Sequence, residues 1–199
     1  MKKLAIALVI LLVPVAVMAQ EEVPKAEVGV SYEFFRPSHA NTAFGAANFN
    51  DGQGFNFRGT YNVNRWAAVE TTFGFQPGID VLTVGGAPAP AGADFSVIHN
   101  EWKFKATSRQ GDKDQVGFFA FAGPGWFRAD PNAVAEAATV GTFTKFSFEF
   151  GGGAEVYANR HVGFRVDLSD LIVVLGTIGG IDQPRTNNFV LRAGASFRW

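Results

Sequence analysis

The chain has no cysteine, and only 18% of its 199 residues are charged, against an average near 25%. The first absence excludes a disulfide scaffold, a thiolate metal site and a cysteine-linked lipid anchor. Charge of neither sign dominates: 17 Lys and Arg face 18 Asp and Glu. No excess of positive charge is available to track phosphates, so a nucleic-acid partner is excluded. Long apolar runs are missing too, except at the very start. Yet 47% of the residues are hydrophobic, and 21 are Phe and 23 Gly. That is far too much apolar surface for a disordered chain, in a length that suits one domain. An apolar chain with almost no long apolar run needs an explanation.

The one apolar run reads as an export signal. Met1, Lys2 and Lys3 form a positive start, residues 4–17 an apolar stretch, and Val17, Met18 and Ala19 a small-residue cleavage site. Fourteen apolar residues interrupted by Pro14 are short for a span, which takes about 20. We therefore expect a cleaved signal peptide over residues 1–19, a periplasmic lead over 20–25, and the folded domain over 26–199. Removal of Lys2 and Lys3 leaves 15 basic against 18 acidic residues.

From residue 26 onward the period is two, the signature of strands with one apolar and one polar face. Val28, Val30, Tyr32 and Phe34 alternate with Glu27, Gly29, Ser31 and Glu33. Similar runs cover 55–63, 67–76, 95–106, 145–157, 162–169 and 189–199. An eighth, 116–126, is apolar on both parities, so its outward face stays open, and Pro124 is expected near a strand end or a bulge. The connections alternate in length: 37–53, 77–94, 129–144 and 170–188 are long, while 64–66, 107–115 and 158–161 are short. Short turns at one end and long loops at the other are the asymmetry of a transmembrane β-barrel.

Alternation alone does not say which face meets solvent, so volume and charge decide. An eight-stranded barrel has an interior just wide enough for side chains. Pairs such as Phe55 and Phe57, Phe73 and Phe75, or the trio Phe146, Phe148 and Phe150 would overpack it. The polar parity carries Glu27, Glu33, Glu70, Glu101, Glu149, Glu155 and Asp167 against Arg58, Lys103, Lys105, Lys145, Arg165, Arg192 and Arg198. These balance, as buried charges must. The Phe face is thus expected to meet lipid, with the charge network of Arg58, Glu70, Glu101, Lys103, Glu149, Arg165, Asp167 and Arg192 filling the lumen. In it, Arg165 and Asp167 are expected to pair across the lumen with Lys103 or Glu149. Strands of this length cross a bilayer at a tilt, and closure satisfies every backbone group. Aromatic girdles are expected from Tyr61, Trp66, Tyr157 and Trp199 at the short-turn end, and from Phe34, Phe55, Phe75, Phe95 and Phe189 at the other.

The end of the chain, Gly194-Ala195-Ser196-Phe197-Arg198-Trp199, resembles the C-terminal assembly signal of Gram-negative outer-membrane proteins, with Ala193 where a polar residue is usual. More broadly, residues 26–199 resemble the small eight-stranded OmpA/OmpX-like outer-membrane β-barrels, chiefly through Phe148 to Tyr157 and Val162 to Asp170. The resemblance implies an all-β, eight-stranded, antiparallel up-and-down transmembrane barrel in the bacterial outer membrane. It also implies that Gly194, Phe197 and Trp199 are read by the barrel-assembly machinery.

Nothing in the remaining motifs favours chemistry. Gly123-Pro-Gly125 and Gly151-Gly-Gly153 open no helix and lack the Lys-Ser/Thr of a phosphate loop. His39, His99 and His161 fall on a loop, a strand and a turn, so no shared metal site and no cofactor is expected. Ser96, His99 and Glu101 cluster in sequence, as a hydrolytic lipid-modifying barrel would need, but Ser96 lies on the opposite parity. The expectation is a non-enzymatic, monomeric barrel embedded in outer-membrane lipid. It would have a structural or surface-interaction role, a side-chain-filled lumen, and loops whose ligand the sequence does not name. The alternatives are a small channel or porin-like transporter, and a secreted lipocalin-like carrier with the Phe face lining its cavity.

Overall fold

A computed structural model of the chain describes residues 24–37, 48–84, 87–108, 116–138, 141–178 and 181–199. The expected signal peptide lies outside these residues, as do His39 and most of the connections 37–53 and 107–115. Eight long strands follow one another: β1 (Ala26–Arg36), β2 (Gly52–Asn64), β3 (Ala67–Val84), β4 (Asp94–Thr107), β5 (Val116–Pro131), β6 (Phe143–Tyr157), β7 (Val162–Ile178) and β8 (Ile181–Arg198). Each pairs antiparallel with its sequence neighbours, and β1 closes on β8, with Val30 opposite Ala195 and Glu33 opposite Arg192. The result is a closed, eight-stranded, up-and-down barrel without a free long edge. One helical turn, α1 (Ala133–Ala138), stands between β5 and β6, capped by Asn132, whose Oδ1 accepts the Ala135 N–H at 2.9 Å. Among the described residues no helix is long and apolar enough to cross a membrane; the strands do so instead.

The alternation resolves as strict in-and-out placement. Twelve Phe are exposed on the outer face, Phe57 at 56% and Phe104 at 58%, whereas Glu70, Glu101 and Glu149 are fully buried in the lumen. This orientation overturns the soluble carrier, which needs the Phe face inside. The undecided strand β5 turns Val116, Phe118 and Trp126 outward and Phe119, Phe121 and Phe127 inward. Pro124 is not at a strand end but in mid-strand, facing out. Lacking an N–H, it leaves a gap in the ladder to β4 between the pairs Glu101–Gly125 and Phe104–Ala122. Two expected girdle residues are on the wrong parity for lipid: Tyr157 and Phe95 are buried inside, at 5% and 3%. Phe95 shares its parity with His99 and Glu101, so alternation was the better guide to it than its place at a strand end.

The strands also run further than the outer apolar face alone suggests. β3 and β8 have 18 residues each and β7 has 17, well beyond the 9–11 that cross a bilayer. The connection 170–188 is therefore largely strand, its ladder reaching Ile178 opposite Ile181. Along this overhang both faces change character. Outside, the apolar band gives way to Arg36, Asp51, Asp80, Arg128, Asp130 and Asn187. Inside, the charges give way to Phe35, Ile79, Phe95, Val97, Phe127 and Leu175, part of one buried apolar cluster. Water replaces lipid there, and the ordinary inside-out order of a soluble barrel returns. The short turns stay at the opposite end, where Asn64 Oδ1 accepts the Trp66 N–H at 2.8 Å and Asn159 Oδ1 accepts those of His161 and Val162.

Phe57 lies near the middle of the outer apolar band. Phe57→Arg is expected to destabilise the barrel by about 2–4 kcal/mol, and Leu82→Arg, beyond the band, by less than about 1 kcal/mol. Urea titrations of the protein in lipid vesicles measure both.

Candidate functional site

The lumen below the overhang is filled by side chains that every strand contributes through its inward parity. At its centre Glu70 of β3 accepts both guanidinium nitrogens of Arg165 from β7, Nη1 at 2.6 Å and Nη2 at 3.2 Å. Arg58 Nε and Lys103 Nζ stand at 3.7 Å from the same carboxylate, and Thr60 Oγ1 donates to it at 3.3 Å. The third nitrogen of Arg165, Nε, donates to Asp167 at 2.8 Å. A planar fork between two carboxylates suits Arg better than Lys at this position.

Toward the loop end the pairs interlock further. Lys103 Nζ donates to Glu149 Oε2 at 3.0 Å, and Ser169 Oγ to Glu149 Oε1 at 2.6 Å. Arg192 bridges three carboxylates: Glu149 at 2.5 Å, Glu33 at 2.5 Å and Asp167 at 3.3 Å. His99 is wedged between Glu33 Oε1, 2.7 Å from its Nε2, and Glu101 Oε2, 2.9 Å from its Nδ1. Gln76 also donates to Glu33, and Thr72 Oγ1 donates to Glu101 at 3.0 Å. The residue paired with His99 across the ladder is Gly74. A Cβ there would stand 2.0 Å from His99 Nε2, so only glycine leaves room for the ring.

Toward the turn end the pairs are simpler. Arg58 Nη2 donates to Glu27 at 2.9 Å and Lys105 Nζ to Glu155 at 2.8 Å. Tyr157 donates its hydroxyl proton to Glu27 at 3.1 Å, beneath the Arg198 guanidinium 3.5 Å from its ring centre. Two of the three Phe that β5 turns inward, Phe119 and Phe121, serve as platforms for cations. Lys103 Nζ lies 4.4 Å from the Phe121 ring centre, and Lys105 Nζ and the Arg165 guanidinium lie 4.6 and 4.0 Å from that of Phe119. Outside the membrane the ion pairs are exposed: Arg36 with Asp51 at 2.9 Å and Arg128 with Asp130 at 2.8 Å. The hydrogen bond from Arg128 holds the Asp130 carboxyl below its ordinary range.

All eight residues expected to form the lumen network are buried inside and brought into one connected set. Both cross-lumen partners differ from expectation: Arg165 reaches Glu70, not Glu149, and Asp167 is held by Arg165 and Arg192, not by Lys103, which pairs with Glu149. Lys145, counted among the inward cations, is only half-buried. Sequence reasoning did not single out Glu33, Gln76 and His99 for the network, nor Phe119 and Phe121, although inward parity marks the first three. The triad reading fails on geometry: His99 and Glu101 are sealed within the network, while Ser96 is on the other parity and half-buried. Among the described residues no group of His, Asp or Glu could hold a metal ion.

The chain matches the outer membrane protein beta-barrel domain family over residues 5–197 and belongs to that family. It is therefore an integral β-barrel of the bacterial outer membrane, embedded in its lipid. Solved structures of similar fold include OprG from Pseudomonas aeruginosa, with 10% identity and a TM-score of 0.62, covering 91% of this chain and 99% of that one. Neisserial surface protein A has 12% identity and a TM-score of 0.59, covering 87% and 97%. The attachment invasion locus protein Ail of Yersinia pestis, solved with the heparin analogue sucrose octasulfate, has 14% identity and a TM-score of 0.53, covering 88% and 98%. At these identities the likeness is one of fold. A comparison with curated protein sequences finds no match.

Arg165→Ala leaves Glu70 and Asp167 short of a cation and is expected to cost about 3–5 kcal/mol, since a buried charge is left uncompensated. Adding Glu70→Gln is expected to recover part of that loss. A double-mutant cycle by urea unfolding in vesicles measures the coupling.

Proposed function

We propose that this member of the outer membrane protein beta-barrel domain family is a non-conducting, monomeric barrel whose role is structural or exercised at the cell surface through its long-loop end. One observation carries the reading. From Glu27 to Glu33 the lumen holds a continuous ladder of ion pairs that links every strand but β5, with Arg165, Lys103 and Arg192 spanning it. A hydrated solute would have to part several buried pairs at once, each costly to separate. The same sealing supports a non-enzymatic role for the lumen, because its titratable groups lie within the network, out of reach of a substrate.

In this reading residues 1–19 direct export and are removed. Gly194, Phe197 and Trp199 form the signal read by the barrel-assembly machinery. Phe197 and Trp199 are exposed on the lipid face, their ring centres 6.1 Å apart, and a Cβ on Gly194 would stand 2.2 Å from the Val30 carbonyl oxygen across the closing ladder. The pattern thus presents an aromatic pair outward and a smooth edge to β1.

Planar-bilayer recordings on the purified protein are expected to show no reproducible unitary conductance; such conductance would overturn the sealed lumen in favour of a small channel. Phe197→Ser is expected to slow assembly several-fold in proteoliposomes carrying the assembly machinery while leaving unassisted refolding in detergent unchanged. Equal slowing of both would remove the recognition role.

A further inference from the structure

Above the charged lumen the overhanging strands enclose a recess of about 60 Å³ that is open to solvent at its mouth. Its floor and walls are Phe35, Ile79, Phe95, Val97, Phe127 and Leu175, all buried and drawn from β1, β3, β4, β5 and β7. Half-buried Phe49 and Phe143 stand at the rim. The aromatic rings frame the space: Phe49 lies edge-on to Phe95 at 5.8 Å, and Phe35 stacks near Phe127 at 6.2 Å. Among the described residues no charged side chain lines it, and the polar lining consists of Thr186 and Asn188 on one side.

A closed apolar core would stabilise the overhang without leaving such a space. Close packing is the rule in protein interiors, and apolar cavities that stay open take up small apolar guests. The mouth of a β-barrel is a common place for a ligand pocket. A charged guest would lose its hydration with no counter-charge among the described lining residues. The ion-paired lumen beneath gives an apolar guest no onward path, so the recess fits retention, not transport.

We propose that the loop-end recess is a binding site for a small, uncharged, apolar molecule of single-ring or short-alkyl size, held between Phe35, Phe95 and Phe127 and touched on one side by Thr186 and Asn188. This goes beyond the sealed-lumen reading and is tested separately from it. The probe is toluene, titrated into methyl-labelled protein in lipid nanodiscs and followed by NMR. Saturable shifts are expected at the methyls of Ile79, Val97, Val173 and Leu175, while those of lipid-facing Val30, Val166 and Leu168 follow only the linear change of toluene dissolving in the bilayer. Benzoate, the charged counterpart, is expected to shift none of the recess methyls. Ala129→Phe, which fills the recess from β5, is expected to weaken saturation at least tenfold. Thr186→Trp, at the rim, provides the same test should the first variant not fold. Recess methyls that respond no differently from lipid-facing ones, or respond equally to benzoate, would overturn the proposal. So would unchanged saturation in a folded filling variant.

Discussion

Carboxylates and cations share the narrow lumen at separations below 4 Å, almost out of reach of water. Such groups are tolerated only if each is paired with opposite charge. Arg165 between Glu70 and Asp167, and Arg192 among Glu33, Glu149 and Asp167, meet that demand from strands far apart in sequence. No partial barrel can assemble the Glu33–Arg192 pair, since Glu33 is on the first strand and Arg192 on the last. The pairing therefore ties the interior to closure of the wall, and closure in turn leaves no backbone group facing hydrocarbon unpaired. Lipid-facing Phe is a consequence of the same constraint: the charges occupy the inside, so the bulky apolar side chains must lie outside.

Most of the barrel could be read from the chain because its two faces obey a period of two and differ sharply in chemistry. Val69, Thr71, Phe73 and Phe75 against Glu70, Thr72 and Gln76 leave one possible orientation once the volume of a narrow barrel is considered. Where the two faces were alike, the pattern was silent. Phe118 and Phe119 are adjacent, and one meets lipid while the other carries the Arg165 guanidinium; nothing in their identity separates them. The cross-lumen partner of Arg165 was equally hidden. Inward parity does not fix height along the axis, and height depends on the shear of the closed sheet.

The overhang was misread for a related reason. Between Asp170 and Asn188 the outward residues become mixed, Asp170, Arg185 and Asn187 beside Ile172 and Val174, while inward Leu171, Val173 and Leu175 are apolar. Judged against a membrane strand, this reversal looks like the end of the element. Judged against the solvent actually present at that height, it is the same strand answering a different medium. Two phases along one axis give two rules for one sheet, and the switch between them marks where the hydrocarbon stops.

The reversal has a consequence for how the outer surface of this protein changes over time. The loop-end collar is held by its own apolar cluster and owes little to the bilayer, so whatever sequence is grafted onto its crest begins from a paired ring of strands. Insertions, deletions and antigenic drift at the crest are mechanically insulated from the ionic lattice below. A barrel built this way can renew the face it shows to the world while its anchor remains unchanged.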